Sequence, residues 1–158
     1  MTRSGDRTAN TTDNCATFFL TNIVPQTQEQ NEGPWLELEN LSKELAQSGK
    51  ELYIVAGPLG EGGTGLKGAM TRIKDKITVS ESTWKIVVIL DKPGLGVKGV
   101  TTKTRVIAVR MPNTLGIQSD SYKKYLTTVD ELEKLTGYDF LSDVPVGVQA
   151  VIEAKKDS

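Results

Sequence analysis

The segment Thr21–Leu45, TNIVPQTQEQNEGPWLELENLSKEL, constrains this chain more than any other stretch. It reads as a short buried strand, a polar loop and then a helix. Asn31, Trp35, Glu39 and Lys43 recur at intervals of four, so on a helix they gather in one slowly drifting stripe. Stripes that face a core are usually apolar. One that mixes an amide, a carboxylate and an ammonium suits a metal ion and a phosphate. On spacing alone the plainer roles stay open: an Asn at a helix start is commonly a cap, and Glu39 with Lys43 is an i, i+4 ion pair in the favourable order.

An absence constrains the chemistry next. None of the 158 residues is histidine. That removes Ser-His-Asp and Cys-His catalysis and every His-based zinc site. Cys15 stands alone, which allows no internal disulfide and no cysteine metal cage. A small buried apolar role is expected for it. The formal net charge is −1, so no global basic field points to nucleic acid, and any phosphate binding has to come from a local patch. No stretch has the length of a membrane span. The opening MTRSGDRTANTTDN has no apolar region and reads as loop, not as a signal peptide.

The remaining pattern predicts one domain over residues 1–158. Ala16–Val24 reads as a buried strand ended by Pro25. A helix is expected from about Asn31, with Pro34 in its first turn and Gly49 ending it. Glu51–Ala56, Lys76–Val79, Trp84–Leu90 and Thr104–Met111 read as strands. Asp91–Lys98 reads as a turn-rich connector, and Gly57–Gly68 as a glycine-rich loop. Thr128–Thr136 is a helix with a capping box, closed by Gly137. A short helix follows Val144. Strand, helix, several strands and helix make an α+β domain with a mainly antiparallel sheet, not a regular βαβ alternation.

One motif competes. Gly60, Gly62 and Gly65 satisfy G-x-G-x-x-G after a strand, with Glu81 about twenty residues on, as a dinucleotide site requires. Gly68 interrupts the following segment and Pro58 opens a loop, so a flexible surface loop is the expected reading. Lys67 is followed by Gly68, which excludes a P-loop.

The order TNIVPQ, Asn31, LENLSKEL, YIVAGP, TWKIVVIL, TRVIAVRMPN and TVDELEKLTGYDFL resembles the DNA/RNA non-specific endonucleases. These are the ββα-metal, or His-Me finger, nucleases, with the cyanobacterial sugar-non-specific branch most similar. The family signature is Asp-Arg-Gly-His, an apolar residue, three variable residues and Ala. Met1 matches the apolar residue, Thr2 to Ser4 the variable three, and Gly5 stands where Ala is usual. The resemblance therefore implies a chain that starts just after the signature histidine, with the first strands of the fold missing.

Residue by residue, the resemblance implies Asn31 as the direct ligand of a catalytic Mg²⁺ or Mn²⁺, and Glu39 as the holder of metal-bound waters. Lys43 stands where an arginine supports the phosphate, and a lysine cannot make the bidentate contact. Arg3 and Arg7 are expected phosphate contacts. Lys67, Arg72, Lys74 and Lys76 form a second basic cluster, read as solvated surface. The implied reaction is metal-dependent phosphodiester hydrolysis in DNA and RNA without sequence specificity, impaired here because the general-base histidine is absent. DNA and RNA are the implied partners, with room for a protein inhibitor and no membrane. Relatives are commonly secreted or periplasmic, while the compartment of this chain stays open. The alternatives are a catalytically inactive nuclease-fold protein that binds nucleic acid or a partner and, further off, a dinucleotide-binding protein.

Overall fold

The computed structural model describes residues 3–158. Met1 and Thr2, which carry the start of the signature match, lie outside the described residues. Among the described residues, two short α-helices, α1 (Thr11–Ala16) and α2 (Gln28–Glu32), and the long α3 (Pro34–Gln47) precede the main sheet. The sheet is built from β1 (Glu51–Leu59) and, after two small hairpins, the later strands. Those hairpins are β2 (Gly63–Gly65) with β3 (Gly68–Met70), and β4 (Arg72–Ile73) with β5 (Ile77–Thr78). Then come β6 (Ser82–Leu90), β7 (Arg105–Pro112) and β8 (Leu126–Thr127), followed by α4 (Val129–Thr136) and α5 (Val146–Ile152).

The main sheet has the order β1-β6-β7-β8 and every pairing in it is antiparallel. All of β6 is buried, so its two faces feed two separate cores. Alternation along the strand sends Ile86, Val88 and Leu90 to one side, with Val129 and Leu132 of α4 and Ile152 of α5. Val87 and Ile89 go to the other side, with Trp35 and Leu38 of α3 and Ile107, Val109 and Met111 of β7. The result is three layers: α3, the sheet, and the α4–α5 pair. Period-two parity also commits Lys85 to the α3 side, among apolar neighbours.

Five expectations need correction. Ala16–Val24 is not a buried strand; α1 ends there, a 3₁₀ turn covers Leu20–Asn22, and Phe18, Phe19 and Leu20 are 63%, 63% and 79% exposed. Among the described residues no strand pairs with the run, so its apolar content has no ladder to join. Residues 1–14 are not all loop, because Asn10 accepts a hydrogen bond from the Asp13 amide at 2.8 Å and caps α1. Cys15 is exposed. The helix expected from Asn31 is two helices, broken at Gly33, whose φ of −99° and ψ of −116° lie outside the helical region. Finally, Gly57–Gly68 is not one loop: β1 runs on to Leu59 and the glycines form the β2–β3 hairpin.

Gly33 is required by close approach. A Cβ there would sit 2.5 Å from the Glu29 carbonyl oxygen and 2.6 Å from that of Gln118. The chain turns at this point so that Pro34 can open α3. The C-terminal expectations hold. Thr128 accepts a hydrogen bond from the Glu131 amide at 3.1 Å, and Gly137 closes α4 with φ of +73°. No helix among the described residues is long and apolar enough to cross a membrane.

Candidate metal and phosphate site

The site is built on α2 and α3, and α2 holds its place through polar anchors. It is too short to be stable on its own. Gln30, fully buried, donates from its amide to Thr83 Oγ1 and to the Met111 carbonyl, both at 2.9 Å. Asn113, 2% exposed, accepts from the Thr27 amide at 2.7 Å and donates to the carbonyls of Pro25 at 3.0 Å and Ser80 at 2.9 Å. Glu29 accepts from the amides of Gly116 and Ile117. These contacts fix the next residue, Asn31, at the surface with its backbone amide bonded to Thr27 at 3.0 Å. The Asn31 side chain is exposed and has no hydrogen-bond partner among the described residues. Thr27, not Asn31, caps the helix, so the capping role leaves that amide unexplained.

Despite the break at Gly33, Asn31, Trp35 and Glu39 share one pocket of about 410 Å³, together with Arg3, Thr17, Asn22 and Gln26. A second pocket of about 800 Å³ adjoins it through Arg3 and Glu39. There Arg7, Lys43 and Lys85 meet Asp6 and the β1 side chains Leu52 and Ile54. Every expected site residue therefore lies in one of two pockets that have Glu39 and Arg3 in common. The basic cluster does not join them: Lys67, Arg72, Lys74 and Lys76 are exposed on the small hairpins and line neither pocket.

Glu39 is the centre of the charge arrangement. Its Oε1 accepts from Trp35 Nε1 at 2.9 Å and lies 3.6 Å from Lys85 Nζ. Its Oε2 lies 3.9 Å from Arg3 Nε, while Arg3 Nη1 donates to Asn40 Oδ1 at 2.9 Å. Lys85 is 3% exposed and its ammonium sits 3.8 Å from the centre of the Trp35 ring. Burial pushes the Lys85 ammonium down from its ordinary 10.5 to about 8, while the Glu39 carboxylate beside it pulls the other way. Glu39 thus lines the pocket between one buried and one half-buried cation.

The donor set fits a hard divalent cation. An amide oxygen with no other partner, beside a carboxylate already committed to neighbours, is what an ion that keeps most of its waters requires. Lys85, Gln30 and Asn113 went unmarked in the sequence. A signal for Lys85 was available: a lone lysine inside WKIVVIL, in phase with Val87 and Ile89, lands on a buried face. Gln30 and Asn113 carry no such signal, because the groups they anchor to, Thr83 and Met111 for Gln30 and Thr27, Pro25 and Ser80 for Asn113, lie 33 to 88 residues away in the chain.

Comparison with known proteins bears on family and fold. The family model for DNA/RNA non-specific endonucleases matches residues 1–147. A nuclease of Nostoc sp. (strain PCC 7120) is 53% identical over 155 residues, covering 98% of this chain and 54% of that protein. The nuclease of Serratia marcescens is 27% identical over 87% of this chain and 48% of its own length. A mitochondrial Nuclease EXOG of Xenopus laevis is 27% identical over 89% of this chain and 39% of its own length. The chain thus spans about half the length, or less, of these relatives. Among solved structures, a chain in the crystal structure of the EndoG/EndoGI complex superposes with a TM-score of 0.71 at 20% identity, covering 100% of this chain and 64% of that one. It has the same fold, the α+β architecture of the ββα-metal nucleases. The G-x-G-x-x-G alternative fails on the structure, since a β-hairpin follows the glycines where a dinucleotide site needs a helix N-terminus. The chain belongs to the DNA/RNA non-specific endonuclease family.

Proposed function

We propose that this chain carries the metal- and phosphate-binding part of a nuclease site that hydrolyses phosphodiester bonds in DNA and RNA without sequence specificity. The observation that carries the reading is the unpartnered Asn31 amide in a pocket with Glu39, joined to a second pocket holding Arg7, Lys43 and Lys85. Asn31 would hold a Mg²⁺ or Mn²⁺ ion directly, and Glu39 would orient the waters around it. When bound, the ion supplies charge neutralisation at the phosphate and the leaving oxygen. Arg3, Arg7 and Lys43 offer cations along the same groove for backbone phosphates, a mode of recognition that does not depend on base identity. Lys43 contributes a point charge without the bidentate fork of an arginine. Lys85 is enclosed by the Trp35 ring and serves by holding Glu39, not by touching substrate.

A specific observation favours a second reading. With no histidine in the 158 residues, no imidazole of this chain can take the proton from the attacking water. Binding of nucleic acid without cleavage is the alternative, and EndoGI-type inhibition of a relative suggests a protein inhibitor as a further partner to test.

Fluorescence anisotropy with labelled DNA and RNA, alongside plasmid and RNA digestion in Mg²⁺ or Mn²⁺, tests both. Metal-dependent binding to both nucleic acids, lost in Asn31→Ala, supports the site. Cleavage by these 158 residues at least about 10²-fold slower than by a version supplied with the signature Asp-Arg-Gly-His supports the proton-transfer argument. Equal cleavage by the two would overturn it, and metal-independent binding would overturn the role of Asn31.

A further inference from the structure

On the opposite side of the sheet from Asn31, three carboxylates converge. Asp130 and Glu133 stand one turn apart on α4, and Glu153 follows the end of α5. One carboxylate oxygen of each lies within 4.8 Å of the others. The first-turn position of Asp130 is favoured by the helix N-terminus. Glu133 and Glu153 have no such excuse. No lysine or arginine among the described residues forms a salt bridge with any of the three.

The second observation is Glu153 itself. It is only 7% exposed, and its Oε1 is buried with no hydrogen-bond partner among the described residues. A buried carboxylate oxygen without a donor is costly unless a proton or a cation meets it. Burial, then the neighbouring Glu133, Asp130 and Asp139, pushes the Glu153 carboxyl up to about 7. The other members are prepared: Glu133 Oε1 is oriented by the Phe140 amide at 2.7 Å, and Asp130 is exposed, leaving one side open to water.

We propose that Asp130, Glu133 and Glu153 form a calcium-type divalent-cation site, separate from the Asn31 pocket, that clamps α5 and the C-terminal residues onto α4. Oxygens within 4.8 Å of one another lie no more than about 2.8 Å from a common centre, so small side-chain adjustments bring all three to calcium–oxygen distance. Three carboxylates from two elements, graded from buried to exposed, suit an ion that tolerates irregular geometry and completes its shell with water. The backbone already brings the elements together, since the Glu153 carbonyl accepts from the amides of Val129 at 3.0 Å and Asp130 at 3.3 Å. Ile152 packs in the same core as Val129 and Leu132. A bound ion would add side-chain links across that junction and protect the C-terminal layer from fraying.

The test is calorimetric titration of Ca²⁺ into the Asn31→Ala chain, with thermal melts in Ca²⁺ and in EDTA. That background silences the other candidate site, so the outcome does not depend on whether Asn31 binds metal. One Ca²⁺ per chain is expected, with a dissociation constant of roughly 10⁻⁴ M, within the range of weak oxygen-ligand sites, and a melting point raised by Ca²⁺. Adding Glu153→Gln or Glu133→Gln should abolish both the heat and the Ca²⁺-induced rise, while the melting point in EDTA stays level or increases. If one of these variants fails to fold, the other still gives the readout. Absence of Ca²⁺ binding in the Asn31→Ala chain, or binding that persists in the Gln variants, overturns the site. A rise of equal size with Mg²⁺ overturns the calcium-type assignment.

Discussion

The Lys85 ammonium lies 3.8 Å from the centre of the Trp35 ring, on the α3 face of a strand that is buried throughout. A cation so placed is stabilised by the ring and, at 3.6 Å, by Glu39. The two partners are not equivalent in energy. Desolvation works against Lys85, while Glu39 is the group that makes its charge tolerable.

Glu39→Gln should consequently be the damaging change. The Trp35 indole would still find an acceptor, but Lys85 would be left buried without its counter-charge, at a cost of about 3–5 kcal/mol. Lys85→Met removes the penalised charge together with its need for a partner and should leave stability near that of the parent or above it. Urea unfolding of the two variants at pH 7 checks the contrast. Equal losses in both would mean that the pair acts simply as a stabilising bridge.

The same lysine sets a pH dependence. Its folded value of about 8 lies below the ordinary 10.5, so between these limits the unfolded chain binds more protons than the folded one. Stability linked to Lys85 therefore rises with pH across that window, and the penalty is full below about pH 8. The advantage of Lys85→Met over the parent should shrink from pH 8 toward pH 10.5. Paired unfolding curves at several pH values read this directly, and a constant offset would contradict it.

Asn113 should matter beyond its own neighbourhood. Asn113→Ala strands the Thr27 amide and the carbonyls of Pro25 and Ser80, each worth about 1–3 kcal/mol when buried and unsatisfied. A loss on the order of 3 kcal/mol is expected, along with weaker Mg²⁺ or Mn²⁺ binding, because α2 loses its anchor. Asn31→Ala should show the opposite division: metal binding lost, stability changed by less than about 1 kcal/mol. Calorimetry and thermal melts on both variants separate the ligand from its support.

The outer edge of β1 is expected to favour association between chains. Among the described residues no strand pairs with that edge, and Tyr53, Ile54 and Val55 are 45%, 48% and 47% exposed. A long, apolar edge is a template for another strand. Val55→Lys should reduce light scattering of concentrated samples on warming without a comparable change in melting point. Scattering unchanged by the lysine would place the association elsewhere.

What the residue order determined was local or periodic. β6 and β7 form where strands were expected because β-branched runs bounded by turns have few other solutions. The Thr128 cap and Gly137 stop are written in neighbouring residues. The stripe Asn31, Trp35, Glu39, Lys43 was legible because four-residue spacing survives a single break in the helix. That break itself was decided by tertiary contact, since Gly33 is squeezed between two carbonyls, one of them 85 residues away in Gln118. Ala16–Val24 looked like a strand because apolar content signals burial, but burial as a strand needs a neighbouring strand, and a linear pattern does not say whether one is there. Lys85 took its character from what lies over it: the Trp35 ring and Glu39 carboxylate of α3 make the same lysine a buried counter-ion that would otherwise be a solvated one.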